Sequence, residues 1–416
     1  MLLIAVILVA VLRSYANGEI WPPFIPTPTP TRTVNSFVIE GNTHFQSGNL
    51  EKAISAYQKA IELEPDNTKI MVELARIQVY SSNTLTTDAE RTQRLSEALA
   101  VMDQAKALEP TNSEVLATRA FVLNWYANPT LAGERAKELQ NEAESEVLMA
   151  LQMDGTNTLA KAYYAEILTD QFKWVQAREY MQQAMDSGKN LMDVHRIQGY
   201  LYEVLGEYNL AIEEYKVAAS ITPNLTFLYN SIGVLYRYLG QYDVALEYFD
   251  KAASLNEQLG INDPIPYMAI ANTYLRLGEA MAASRNAYKA LTINPYNPDT
   301  YGQVGSIYYR ARNYEGSILA LQCAVSGCDD SISCQVREDC EDPQHEQIVL
   351  QGLPLSDSTV FYYYTYGSVL AGLHRAGDNN CTLAEAVFTQ VRAQYSSDDT
   401  IMGIVTSSEK ICGISE

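Results

Sequence analysis

The stretch "LYNSIGVLYRYLGQYDVALEYFDKAASLN", Leu228 to Asn256, holds one whole structural unit. Tyr229, Ile232, Gly233 and Tyr236 recur at three- and four-residue spacing, so they share one face of a helix. Gly240 breaks that helix and permits a tight turn. Ala245, Leu246, Phe249 and Ala252 form the facing stripe of a second, antiparallel helix. Gly233 and Ala245 mark where the two helices cross closely. A larger side chain there would push them apart, at about 1–3 kcal/mol.

The unit recurs along the chain. Ala60, Ala105, Ala150, Ala184, Ala218, Ala252, Ala290 and Ala324 follow one another at gaps of 45, 45, 34, 34, 34, 38 and 34. A second small-residue column runs through Gly41, Ala75, Ala120, Ala165, Gly199, Gly233, Ala271, Gly305 and Gly367. A third runs through Ala53, Ala98, Ala143, Ala177, Ala211, Ala245, Ala283, Ser317 and Ala384. Three columns held in phase at a spacing near 34 are the signature of a helical solenoid. Pro65, Pro110, Pro223 and Pro295 close their units, because proline cannot continue a helix.

On these residues the chain resembles the tetratricopeptide repeat family. The shared pattern is an aromatic four residues before the Gly or Ala, a Gly in the turn, the second-helix Ala, an aromatic, then Ala and Pro. It is cleanest in "GYLYEVLGEYNLAIEEYKVAASITP", Gly199 to Pro223. About nine units run from Val34 to Tyr395. The resemblance implies an all-α, right-handed superhelical solenoid of antiparallel helix pairs. First helices would line a concave groove that binds peptide or protein segments, and no enzyme activity comes with the fold.

The units are not all alike. Gly41 to Ala60 spans 19 residues, whereas Ala75 to Ala105 and Ala120 to Ala150 span 30 each, so repeats two and three carry 11 extra residues between or within their helices. Repeat nine is stretched near Ala376–Asn380. The division that follows is an apolar segment at 1–16, a Pro/Thr-rich linker at 17–33, repeats one to eight at 34–326, a Cys-rich insertion at 327–359, the last repeat at 360–397 and a capping helix at 398–416. A cap is what an open-ended array needs for solubility.

Met1 to Leu12 is one apolar run, ended by Arg13. A full span needs about 20 apolar residues, and a secretory signal normally opens on a basic stretch that is missing here. Two readings stand: the end of an anchor helix, or a short signal core cleaved after Ala16. Both export the chain and place it outside the cytoplasm. No Cys follows the run, which excludes a lipid-modified N-terminal cysteine. Pro22 to Thr33 favours extended, semi-rigid geometry and would hold the folded part off a membrane.

The 416 residues are 47% hydrophobic, which excludes wholesale disorder. A net charge of −21 argues against nucleic acid or anionic lipid as a partner. Tyrosine outnumbers phenylalanine 29 to 9, which suits half-exposed packing and contact surfaces. No catalytic constellation stands out. His44, His195, His345 and His374 are scattered, and His44 fills a slot that is apolar or Tyr elsewhere, so it reads as packing. Ser407-Ser408-Glu409-Lys410 has the Ser-x-x-Lys spacing without a companion motif. No phosphate loop, metal-spaced His pair or cofactor motif is present.

Four of six cysteines fall in "CAVSGCDDSISCQVREDC", residues 323–340. Their spacing fits neither zinc knuckles nor a C-x-x-C redox centre, and an even count in an exported chain points to disulfides. Cys381 starts the last second helix and Cys412 ends the capping helix. Antiparallel neighbours bring those ends together, so Cys381–Cys412 is expected. Cys323–Cys340 with Cys328–Cys334 would then close the insertion. "EQIVLQGLPL", Glu346 to Leu355, alternates like a small turn or hairpin lying over repeats eight and nine. It is either a binding element or a stapled plug; as an active site it would rest on His345, Asp329, Asp330, Glu338 and Asp339. Asn224-Leu225-Thr226 and Asn380-Cys381-Thr382 fit the glycosylation pattern.

The function expected is a non-catalytic, extracytoplasmic scaffold binding protein segments and held to a membrane by its N-terminal apolar segment. The alternatives are a factor assembling a pilus, secretion or polysaccharide-export machine, and an enzyme built on the insertion. Groove-facing positions are those off the helix-pair interface: Arg196, Tyr200, Asn230, Arg237, Tyr238, Asn272, Arg276, Tyr309 and Arg310. Arg forks can grip carboxylates, Asn can pair with a peptide backbone and Tyr supplies rigid contact area.

Overall fold

A Cβ placed on Gly233 would lie 2.5 Å from Phe249 Cε1, so the two helices of that unit touch backbone against ring. The contact repeats at a spacing of 16. Gly41 meets Tyr57, Gly199 meets Tyr215 and Gly305 meets Leu321, each at 2.6–2.9 Å from the added Cβ. The small residue of a first helix therefore exists to admit a large side chain of the second. The computed structural model in which this is seen describes residues 32–85 and 87–414, with Val9, Ala10, Arg13, Ser14 and Asn17. Most of the expected anchor or signal at 1–16 and most of the linker at 17–33 lie outside the described residues.

Among the described residues the fold is helical, without a strand, and its helices pair in chain order. The pairs are α1 (Val34–Gln46) with α2 (Leu50–Leu63), α3 (Thr68–Ser82) with α4 (Asp88–Leu108), and α5 (Ser113–Tyr126) with α6 (Ala136–Met153). There follow α7 (Thr158–Asp170) with α8 (Trp174–Ser187), α9 (Met192–Val204) with α10 (Tyr208–Ile221), and α11 (Thr226–Tyr238) with α12 (Tyr242–Leu259). Next are α13 (Ile265–Leu277) with α14 (Ala280–Ile293) and α15 (Pro298–Arg310) with α16 (Tyr314–Val325). Beyond a short α17 (Asp330–Arg337) lie α18 (Val360–Gly372), paired with α19 (Asn380–Tyr395), and α20 (Asp399–Ile411).

Several units begin on an asparagine. Asn67, Asn112, Asn157 and Asn297 accept backbone N–H bonds at the starts of α3, α5, α7 and α15, each satisfying a donor the first turn leaves free. The 11 extra residues of repeat two lengthen α4 to 21 residues, opened by a Thr87–Glu90 capping box. Those of repeat three form a helical turn at Pro129–Ala132, a tighter one at Gly133–Arg135, and an 18-residue α6. In the stretched turn of repeat nine, Asp378 accepts bonds from the backbone of Arg375 and Asn380 and meets the His374 ring at 2.6 Å. α20 covers α18 and α19: Val405 is buried, the Ser408 and Ser368 hydroxyls are 2.8 Å apart, and buried Glu409 pairs with Arg392.

All six cysteines are paired. Cys381–Cys412 ties the start of α19 to the end of α20, with Cα atoms 5.5 Å apart. The other four correct the nested expectation: the bridges are Cys323–Cys328 and Cys334–Cys340, Cα separations 4.7 and 4.9 Å. Each staples a chain reversal. Gly327, at φ +78°, turns Cys328 back beside the end of α16, and Glu338, at φ +57°, turns Cys340 back beside α17. The hairpin expected at Glu346–Leu355 is also corrected. That segment is extended: Leu350 pairs with Cys328 just past the end of α16, Leu353 N donates to Ala324 O at 2.8 Å, and Ile348 N donates to Asp330 of α17 at 3.0 Å. Buried Arg337 holds the insertion together through Asp339, Ser333 and the Glu346 carbonyl at 2.8–3.0 Å.

Candidate functional site: two clefts on the inner wall

The first helices of repeats two to six converge on a buried hub. Arg76 Nη1 donates to Asp193 Oδ2 at 3.0 Å, across 117 residues, and Tyr80 also donates to Asp193. Both Nη groups of Arg196 donate to Glu166, at 2.9 and 2.7 Å. The guanidinium carbon of Arg196 lies 5.5–5.6 Å from the rings of Tyr80, Phe121 and Trp125. Phe121 stacks on Tyr163 at 4.4 Å and Tyr80 on Phe227 at 5.6 Å. At one edge the α1–α2 turn meets the start of α11, where Asn224 Nδ2 donates to Gln46 O at 3.0 Å. Side chains of the chain itself thus fill the inner wall here. Such a network is stable only because its charges are paired, since a lone buried charge costs several kcal/mol.

Beside the hub lies a first cleft of about 810 Å³, lined by residues of α5, α7, α9 and α11 and by Pro129 and Ala136 of the repeat-three extra segment. Its carboxylates are Glu166, Asp170 and Glu203. Asp170 accepts from Tyr200 Oη and Asn124 Nδ2, both at 2.6 Å. Burial, then the charge of Glu166, push its carboxyl up to about 6 against those bonds. Burial also raises Glu203, whose partner is the Tyr215 hydroxyl at 2.8 Å.

A second cleft of about 900 Å³ is walled by α11, α13 and α15, by the start of α4 (Thr87–Arg91) and by residues 353–359 of the insertion. Val234, Met268 and Leu353 give it apolar surface. Arg237 lines it half-buried, with Nη1 donating to Ala269 O at 3.3 Å and no ion pair among the described residues. Burial, then the charge of nearby Arg276, lower its pKa. Of the acids that share the cleft, Asp299 accepts from the uncharged Tyr362 and Gln303 at 2.7 Å, and Asp88 lies 3.8 Å from Arg91.

The nine groove positions therefore divide. Arg196 and Tyr200 line the first cleft, but Arg196 is 5% exposed and its fork is filled by Glu166, so it is not free to grip a ligand carboxylate. Arg237 and Asn272 line the second, the Asn272 amide donating to Met268 O at 3.0 Å. Asn230, Tyr238, Arg276, Tyr309 and Arg310 line neither. Of these, Tyr238 stacks on Tyr208 at 5.8 Å, Tyr309 tilts against Tyr314 at 5.9 Å, and Arg276 and Arg310 are exposed. The spacing rule missed the hub residues Arg76, Asp193 and Glu166. Their signal was charge on otherwise apolar first-helix faces.

The histidines stay apart, each beside its own acid. His195 is buried 2.6 Å from Glu214 and is raised by that bond, and His345 sits 3.0 Å from Asp330. His44 is half-exposed, 3.9 Å from Glu40, and is not the packing residue its slot suggested. Asp330, Cys334 and His345 gather within 4.8 Å, but Cys334 is bound to Cys340 and offers no thiolate. Ser407 Oγ donates to the carbonyl of Gly403 in its own helix.

A TPR repeat model matches residues 41–78 and a tetratricopeptide repeat model matches residues 226–259, the unit on which the periodicity was read. The chain contains tetratricopeptide repeats. Solved structures that partly resemble it include a tetratricopeptide repeat protein from Parabacteroides merdae, at 17% identity, covering 67% of this chain and 99% of that one, TM-score 0.39. Another is a thermophilic TPR protein of Thermus thermophilus, at 20% identity, 42% and 93% coverage, TM-score 0.36. A third is MamA, at 21% identity, 52% and 95% coverage, TM-score 0.28. No curated protein matches the chain. No helix among the described residues of this repeat protein is long and apolar enough to cross a membrane.

Proposed function

We propose that this repeat protein is a non-catalytic scaffold that holds an acidic protein segment in the second cleft, and that it works outside the cytoplasm. One observation carries the first half: Arg237 is a half-buried cation, near the charge of Arg276, with no carboxylate partner among the described residues of a chain of net −21. A ligand carboxylate would satisfy Arg237, while Val234, Met268 and Leu353 accept apolar side chains beside it. The pairing of all six cysteines supports an oxidising compartment. Met1–Leu12 is the stretch that would export or anchor the chain.

The test is a calorimetric titration with a blocked acidic peptide, acetyl-Gly-Glu-Tyr-Asp-Gly-amide, at low salt, where charge contacts count most. Arg237→Ala with Arg276→Ala is expected to weaken binding at least about tenfold. Thermal stability should fall only modestly, by about 1 kcal/mol, because Arg237 gives up a single bond to Ala269 O and Arg276 is exposed. Full affinity in the double variant, or no binding to the parent chain, overturns the assignment.

A further inference from the structure

The first cleft has the opposite chemistry to the second. Asp170 and Glu203 line it, and the groups that hold them are uncharged: Tyr200 and Asn124 for one, Tyr215 for the other. Arg196 is consumed by Glu166. Lys137 also lines the cleft, but it is exposed, with its amine 3.5 Å from Gln140 Oε1. The cleft thus carries carboxylate charge that no cation of the chain pairs with among the described residues.

A second, independent feature points to a ligand. Asn124 lines this cleft and is 8% exposed, yet its Oδ1 has no hydrogen-bond partner among the described residues. The amide cannot be turned to cure this. Its Nδ2 faces Asp170 Oδ2 at 2.6 Å, and an ionised carboxylate only accepts, so Oδ1 is left as an acceptor without a donor. A buried acceptor of this kind stays unsatisfied until something donates to it. Trp125 and Phe227 supply aromatic wall. Phe172, also part of the lining, is 75% exposed and held at φ +60°, a left-handed backbone that a bulky residue rarely adopts.

We infer that the first cleft is a binding site for a basic side chain, Lys or Arg, presented by a protein segment. Carboxylates, an unpaired acceptor and aromatic faces are what an ammonium or guanidinium group requires on leaving water. A segment fits better than a free amine for a particular reason. The cleft, at about 810 Å³, is larger than one alkylammonium group fills, so a segment that carries the cation occupies it where a free amine does not. The site is independent of the acidic-segment assignment made for the second cleft, and the loss of Arg237 and Arg276 should leave it untouched.

The experiment uses the full chain and follows the indole N–H resonance of Trp125, whose Nε1 donates to Glu166 at 3.2 Å. The chain has 3 tryptophans, and Trp125→Phe identifies the signal. Acetyl-Gly-Gly-Lys-Gly-Gly-amide, or its arginine counterpart, is expected to shift this resonance saturably. The Nε-acetyl-lysine peptide should bind at least about tenfold more weakly, since acetylation removes the charge. Asp170→Asn with Glu203→Gln should weaken the lysine peptide by a similar factor. The peptide-side comparison needs no variant, so a folding defect in the double variant cannot mask the answer. Equal binding of the acetylated peptide, absence of any shift with both basic peptides, or equal binding of butylammonium overturns the inference.

Discussion

Replacing Gly233 by Ala tests the contact on which every unit is built. The added Cβ would stand 2.5, 2.7 and 2.9 Å from three ring carbons of Phe249, where about 3.5 Å is normal van der Waals contact. Phe249 is fully buried and packed in a shared core, so its ring has no free space to retreat into. Overpacking of this order costs about 1–3 kcal/mol. Against it stands the helix preference of Ala over Gly, about 1 kcal/mol. The net expectation is a loss of up to about 2 kcal/mol. Gly403→Ala is the control, since Gly403 lies inside α20 and its Cβ would meet nothing within 4 Å. There only the propensity gain remains, and the chain should become more stable by about 0.5–1 kcal/mol. Guanidinium unfolding followed by circular dichroism would show the two midpoints moving in opposite directions. Adding Phe249→Leu to Gly233→Ala should recover part of the loss. Stabilisation by Gly233→Ala would refute the reasoning that the column of small residues is a packing requirement.

Two further outcomes follow from the same geometry. Asp263 is 3% exposed, accepts from Ile265 N and Asn256 Nδ2, and is pushed up by burial to about 6 from an ordinary 3.8. A carboxyl raised in the folded chain contributes stability that is complete below the unfolded value and lost as pH rises through about 6. Asp263→Asn should therefore gain on the parent chain between about pH 4 and 6.5, by up to about 3 kcal/mol; a gap between their denaturation midpoints that ignores pH would contradict this. Cys381→Ser with Cys412→Ser opens a link between residues 31 apart, worth about 3–4 kcal/mol of loop entropy. Trypsin should then cut at Arg392 and Lys410 well before it attacks repeats two to six, and equal rates at the two places would count against a pinned cap.

The pairing of helices was legible because one packing rule is repeated. Gly41, Gly199 and Gly233 each stand 16 residues before the aromatic they admit, so the pattern survives variation elsewhere. Cys381–Cys412 was legible for a related reason: both ends are fixed by antiparallel neighbours. The other two bridges were not, because they depend on left-handed turns at Gly327 and Glu338 and on α17, none of which belongs to the repeat. Gly327 between Cys323 and Cys328 was the available signal. The superhelix itself was the larger omission. Periodicity tells which residues face inward but not how tightly the helices curl, and only the curl brings Arg76 to Asp193 and Tyr80 to Phe227. Arg196, expected to face the groove, is unavailable there because that curl buries it against Glu166.

The departures from the period lie where the clefts are. The extra residues of repeat two put Thr87, Asp88 and Arg91 on the wall of the second cleft, and residues 353–359 of the insertion supply another part of it. The extra residues of repeat three put Pro129 and Ala136 on the first cleft and Thr130 on the second. A regular array has no reason to carry these additions: each lengthens a connection and costs some loop entropy, about 0.6 kcal/mol per doubling of length. They make physical sense as walls that turn an open inner face into enclosed surface, where a charged contact is screened less than in open solvent. On this argument, shortening the repeat-two extra segment should weaken the acidic peptide while leaving the hub intact, since Arg76 and Tyr80 sit on α3, before the extra residues begin.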